Sequence, residues 1–267
     1  MLSLTSRQFD SAIDDLRTGM FSWRLSHFLA WQDIKQRYRR STLGPMWLTL
    51  SFGIQILSMG FLSAFLFTLP ISKSLPYVCA GMVLWGLITQ LINDGANLFV
   101  SASRYITQIR SPLTVFLVQA VWRNIIIAAH NMLIYIVVAV LLIVIPGRSI
   151  LLWPFGLILD IIALSWMALV AAVLSARYRD VPVMISNVFG ILFWFTPLMY
   201  FPEQLGRKRF IADYNPFTHV VALVREPLLG GTPTLDDWLV VLVLAVFGWV
   251  GAFLFFAKFR ARIVYWL

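Results

Sequence analysis

The chain has 267 residues, of which 60% are hydrophobic and only 12% charged, with a mean hydropathy of +0.82. That is more apolar surface than one soluble core of this length can hide, which excludes a soluble domain and makes the chain an integral membrane protein. The net charge of +9 does not point to nucleic acid, because the basic residues flank apolar segments instead of forming a groove or recognition helix.

Met1 to Arg40 carries charges throughout and contains no apolar h-region, so no cleaved signal peptide is expected. From Phe21 to Arg40 the spacing predicts an amphipathic helix lying in the membrane interface. Phe21, Leu25, Phe28, Trp31, Ile34 and Tyr38 fall on one side; Asp33, Gln36, Arg37 and Arg40 fall on the other. Arg24, Lys35 and Arg39 interrupt the apolar side and would have to snorkel. The alternative is a basic anchor that only fixes topology. Gly44 and Pro45 end the helix.

Apolar runs of about twenty residues then mark six transmembrane helices. They are read at Met46–Leu69, Pro76–Leu91, the stretch up to Arg148 (its start left open between Val115 and Arg123), Ile150–Leu174, Val181–Phe201 and Trp238–Ala257. Cys79, the single cysteine, excludes an internal disulfide framework. The Lys and Arg residues concentrate in the N-terminal region, the links between spans two and three and between four and five, and the tail, so both termini are expected in the cytoplasm. The chain thus divides into an N-terminal region (1–45), a membrane domain (46–257) and a short tail (258–267).

The loop 202–237 is too long and too apolar for a plain connector. Phe217 to Leu229 reads as a short helix that starts at the Asn215-Pro216 turn and is closed by Gly230 and Gly231. Apolar half-length pieces suit a re-entrant element on the outer side. Arg225 and Glu226, neighbours on that helix, do not face each other and are each expected to find a partner elsewhere, as parts of an outer gate. Within the spans, His130 and Asp160 lie within about two turns of each other in depth and form a candidate intramembrane polar pair, structural or conductive. Asp94 and Arg123 form a second pair near the cytoplasmic boundary.

Four segments resemble one family in order: WQDIKQRYRRSTLGPMW (Trp31 to Trp47), SARYRDV (Ser175 to Val181), YNPFTHVVALVREPLLG (Tyr214 to Gly230) and FRARIVYWL (Phe259 to Leu267). They are similar to permeases of the ABC-2 type that export O-antigens, capsules and teichoic acids. The resemblance implies an all-α polytopic fold: six spans, an interfacial N-terminal helix and re-entrant helices before the sixth. It also implies a homodimer with the path between protomers, lodged among membrane lipids in the inner membrane, and two copies of a separate ABC ATPase that holds ATP and Mg. No cofactor is expected in this chain, which contains no Gly-Lys-Ser or Gly-Lys-Thr of a P-loop. The link Ser101–Pro112 corresponds to the segment that docks on the ATPase, with Tyr105, Ile109 and Arg110 as contacts; Gln108 stands where the family often has lysine.

For a lipid-linked polysaccharide, Lys35, Arg37, Arg39 and Arg40 sit where a diphosphate headgroup would enter. Sugar C–H faces stack on aromatic rings, which makes Tyr77, Trp85, Trp194, Phe195, Tyr200 and Tyr214 candidates for the glycan path. Competing readings are a permease of the same type for a drug, peptide or other lipid, and a membrane-embedded transferase. The transferase is disfavoured by the lack of an Asp-x-Asp or His-x4-Asp motif and by three scattered histidines, His27, His130 and His219.

Overall fold

The computed structural model describes residues 6–37, 46–108 and 111–267. Among them every regular element is helical: α1 (Ser6–Phe21), α2 (Trp23–Arg37), α3 (Met46–Leu66), α4 (Ile71–Ser101), α5 (Ser103–Gln108), α6 (Thr114–Leu141), α7 (Trp153–Arg177), α8 (Val181–Phe195), α9 (Phe210–Asp213), α10 (Pro216–Leu228) and α11 (Leu235–Trp266). Tight 3-10 turns occupy Arg148–Leu152 and Pro202–Lys208. Five helices, α3, α4, α6, α7 with its preceding turn, and α11, are long and apolar enough to cross a membrane.

The fifth apolar run behaves differently from its expectation. Its helix stops at Phe195 and not at Phe201, because Thr196 precedes Pro197 and takes an extended conformation. Fifteen residues make a helix of about 22 Å, shorter than a hydrocarbon core of about 30 Å. The chain nevertheless travels from one end of the bundle to the other here. Arg177, at the end of α7, stacks over Trp266 at the end of α11, while Pro197 and Met199 accept bonds from Tyr77 and Ser63 at the opposite end.

Helix α4 is the centre. It packs against α3, α6, α7, α8 and α10, and from Ser74 to Phe99 nearly all of it is buried. Small residues permit the closest approach: a Cβ added at Gly95 would lie 2.5 Å from the Ala168 Cα of α7. Gly248 of α11 likewise receives the Trp166 ring of α7, and the Trp249 indole donates to the Ile162 carbonyl at 2.8 Å. Helix α10 lies across this framework. Its first turn meets α4 and α8 through Phe217, its middle rests on Gly156 of α7, and its Leu228 carbonyl accepts from Tyr135 of α6 at 2.6 Å. Ten of its thirteen residues are buried, so the segment is an internal helix and no solvent loop. Asn215 caps it by accepting from the Phe217 amide at 3.0 Å, and Gly230 leaves it at φ +86°, as the Asn-Pro and Gly-Gly signals predict.

The N-terminal region holds two helices that meet at Ser22, where a single helix from Phe21 is expected. Helix α2 presses Ser26, Ala30 and Ile34 onto α6, and the Ser26 hydroxyl donates to the Val115 carbonyl at 3.1 Å. Of the described residues on the predicted apolar side only Ile34 is buried, Tyr38 lying outside them; Phe21, Leu25, Phe28 and Trp31 project outward, and the intervening Arg24 and Lys35 lie over the Trp23 and Trp31 rings. Helix α1 was not legible as an element. Its buried stripe is Ala12, Asp15 and Gly19.

Gly95→Val tests the central contact. Its side chain meets backbone that cannot give way, so α4 and α7 must separate at a cost of about 1–3 kcal/mol. The expected result is a lower thermal midpoint and a smaller monodisperse fraction in detergent, whereas Gly190→Val, with nothing within 4 Å of its Cβ, stays near wild type.

Candidate functional site

At the end where the termini gather, two charge clusters fix the helices. Arg123 of α6 donates to Asp33 of α2 at 2.8 Å and reaches Asp94 of α4 at 2.9 Å; Gln119 and Asn124 donate to the same two carboxylates. The expected Asp94–Arg123 pair is therefore present, with Asp33 as a third member.

The second cluster centres on Asp15, which is 2% exposed. Its carboxylate accepts from the Leu113 and Thr114 amides at 3.2 and 3.0 Å and from Arg260 Nε at 2.7 Å, while the Thr114 hydroxyl donates to the Asp15 carbonyl at 2.6 Å. A carboxylate from α1 thus caps the orphan amides that begin α6 and ties them to α11. This clasp holds the start of α6, where the link that carries α5 ends. On α5, Ile106 turns inward and Tyr105 is exposed; Ile109 and Arg110 lie outside the described residues. Of the headgroup candidates, Lys35 is exposed on α2, while Arg39, Arg40 and the Arg37 side chain also lie outside them.

The opposite end contains the aromatic candidates, divided into two sets. Tyr77 and Trp85 are buried: Tyr77 stacks on Phe201 at 4.0 Å, and Trp85 is enclosed by Phe189, Phe193 and Phe217. Trp194, Phe195 and Tyr214 are 65%, 50% and 86% exposed, and the Tyr200 hydroxyl donates to the Trp194 and Phe195 carbonyls. Only the second set presents open ring faces.

Arg225 is 3% exposed and corrects the expectation for its neighbour. Its NH1 donates to the Pro197 carbonyl at 2.6 Å, its guanidinium lies 4.0 Å from the Tyr77 ring centroid, and its Nε reaches Glu226 at 3.4 Å. The two do touch, because long side chains converge even where their Cβ atoms diverge. The stronger partner is the carbonyl that the non-helical stretch after α8 leaves open. One turn into α10, His219 donates through Nδ1 to Asp237 at 2.7 Å and through Nε2 to the Asp213 carbonyl at 2.9 Å. Two acceptors satisfy only the protonated ring. The hydrogen bond to Asp237 accordingly raises the His219 pKa above its ordinary 6.5.

His130 and Asp160 are not brought together. His130 bonds back to the Ile126 carbonyl at 2.8 Å, and Asp160 is fully buried with neither carboxylate oxygen partnered among the described residues. Two helices in different neighbourhoods carry them: Asp160 lies one turn beyond Gly156 on the stripe of α7 that packs on α10.

These observations define a multi-pass α-helical membrane protein with its termini clasped to one end and a buried transverse helix at the other. Residues 25–229 match the model of the ABC-2 type transporter family, and the chain belongs to that family. Among curated relatives it is similar to the O-antigen export system permease protein RfbA of Myxococcus xanthus, 22% identical over 176 residues, which are 64% of this chain and 66% of the relative, just under two thirds of its length. It is similar also to the protein of that name from Klebsiella pneumoniae, 22% identical over 210 residues, 75% of this chain and 78% of the relative.

Two measurements follow from the end opposite the termini. Arg225→Ala removes the short charge-assisted bond to the buried Pro197 carbonyl and leaves it only the longer one from the Tyr77 hydroxyl, at a cost of about 1.5–3 kcal/mol, read as a lower thermal midpoint in detergent. For His219 the folded pKa lies above the unfolded one, so its contribution is complete below about pH 6.5 and is lost as pH rises through the raised value. The thermal midpoint should therefore fall over that interval in the wild type, and His219→Gln should flatten that part of the profile.

Proposed function

We propose that the chain is the permease subunit of an ABC exporter that carries a lipid-linked polysaccharide, O-antigen foremost and capsule next, across the inner membrane. ATP is hydrolysed on a separate ATPase subunit. The observation that carries this reading is the family match over residues 25–229, joined to relatives named as O-antigen export permeases.

In this reading the end bearing the termini is cytoplasmic, as the distribution of Lys and Arg supports. Helix α8 completes a sixth crossing, and α9 and α10 form the re-entrant element that closes the outer end. The permease acts as a homodimer with its path between protomers. Lys35, Arg37, Arg39 and Arg40 receive the anionic headgroup, and the open rings of Trp194, Phe195 and Tyr214 pass the glycan outward. Two ATPase subunits dock at α5, with Tyr105, Ile109 and Arg110 in contact. Because Asp15 holds the start of α6 to α1 and α11, a push on the link moves α6 together with both terminal helices.

Deletion of the gene should remove one surface glycan and leave its lipid-linked precursor inside the cell. An unchanged surface glycan with altered export of a drug, peptide or other lipid would overturn the cargo and favour a permease of that kind. In reconstituted complexes, Tyr105→Glu should lower transport-linked ATP hydrolysis several-fold while the chain still inserts; undiminished coupling would remove α5 from the docking site.

A further inference from the structure

Helix α4 exposes the wrong chemistry for a lipid-facing surface. Between Ser74 and Phe99 the positions that are not buried are Gly86, Thr89, Gln90, Asn93, Asp94 and Asn97, so each is glycine or polar. Elsewhere in the bundle the exposed positions read Leu133, Ile136, Val137 and Val140 on α6, and Leu242, Val246, Phe247 and Val250 on α11, as contact with hydrocarbon demands. Helices α3 and α8 set a few exposed polar residues (Ser51, Gln55 and Ser58; Ser186 and Asn187) among exposed apolar ones, whereas this face of α4 carries no apolar side chain between Ser74 and Phe99.

That face is bounded by its neighbours. The Phe52 ring of α3 covers Gly86, where an added Cβ would stand 3.1 Å away, and the adjacent Trp85 turns to Phe189 and Phe193 of α8. From there to the end held by Arg123, the strip carries a regular ladder: Thr89 Oγ1 donates to the Trp85 carbonyl at 2.9 Å, Asn93 Nδ2 to the Thr89 carbonyl at 2.8 Å, and Asn97 Nδ2 to the Asn93 carbonyl at 2.9 Å. Each amide spends one N–H on its own helix and keeps its oxygen and its second N–H for the open side, at rungs about 6 Å apart. Gln90 stands beside them. The strip's one charge, Asp94, is committed to Arg123 and Asn124.

A row of neutral amides offers a phosphate no cation to offset its charge, and offers a cation no free carboxylate. It suits a neutral chain rich in hydroxyl groups. We propose that Gln90, Asn93 and Asn97 form the carbohydrate-contacting wall of the translocation path on its cytoplasmic half, where successive sugar hydroxyls donate to the amide oxygens and accept from their remaining N–H groups. The inference rests on the export reading above and assigns the sugar contacts at entry to amides, whereas the aromatic candidates with open faces lie at the other end.

The test uses single cysteines at Gln90, Asn93 and Asn97, with Val137 as a lipid-facing control, in a full-length Cys79→Ala chain; Cys79 itself is buried. Inside-out vesicles are prepared from cells that make the lipid-linked glycan and from cells that do not, and are treated with a hydrophilic thiol reagent. Reaction is expected at 90, 93 and 97 but not at 137, and should be slowed several-fold in vesicles that carry the glycan. Asn93→Leu should reduce export several-fold with normal insertion, and Asn93→Gln should retain most of it. Absence of reaction at all three positions would overturn the wall. So would spontaneous disulfides between two copies at Asn93 or Asn97 regardless of glycan, which would make the strip a self-association face. Reaction that glycan does not slow, in a strain where deletion abolishes the surface glycan, sinks the wall and leaves the export reading standing. Deletion that leaves every surface glycan intact sinks that reading and the wall with it.

Discussion

The close approach of α4 and α7 is the constraint on which the bundle depends. Inside a membrane no hydrophobic force draws one apolar helix to another, so cohesion comes from van der Waals contact at short range, and that requires small residues where backbones meet. Gly95 against Ala168 supplies it at the centre. With those helices locked, α3, α6 and α8 can surround α4, and α10 can rest on Gly156 and insert its buried length among α4, α7 and α11. Separating the central pair would open the bed on which α10 lies.

Polar groups are arranged around this apolar framework by depth. The charges near the termini are pooled in two clusters that use backbone amides as well as side chains, which gives each carboxylate several partners instead of one surface ion pair. At the other end Arg225 is held mainly by a carbonyl oxygen and a ring face, and His219 by the Asp237 carboxylate with a carbonyl on its second nitrogen. Asp160 alone among these side chains is buried with both oxygens unpartnered.

Features that rest on local chemistry were legible in the sequence. The long apolar runs mark the five helices of crossing length, the Asn215-Pro216 and Gly230-Gly231 signals bracket α10 to within a residue, and the Asp94–Arg123 pair follows from depth alone. What escaped depends on distant partners or on a single backbone position. Asp15 meets Thr114 and Arg260 across 99 and 245 residues, so nothing near it announces its role, and the helix that carries it shows a buried stripe of alanine, aspartate and glycine instead of large apolar residues. Pro197 shortens an apolar run that composition extends to Phe201. The polar strip on α4 was overlooked for another reason: a run that is apolar on average hides which side its few amides occupy until the neighbours of the helix are known.

The short α8 has a consequence for the lipid around it. Its Val183, Met184, Val188 and Ile191 are exposed apolar side chains that suit contact with acyl chains. As the sixth crossing proposed above, a helix of about 22 Å in a hydrocarbon layer of about 30 Å leaves about 8 Å to be covered by the non-helical residues 196–201 or by compression of the leaflets beside it. In that reading the bilayer next to α8 is a locally weakened dielectric barrier, thinner than the sheet that surrounds the rest of the protein.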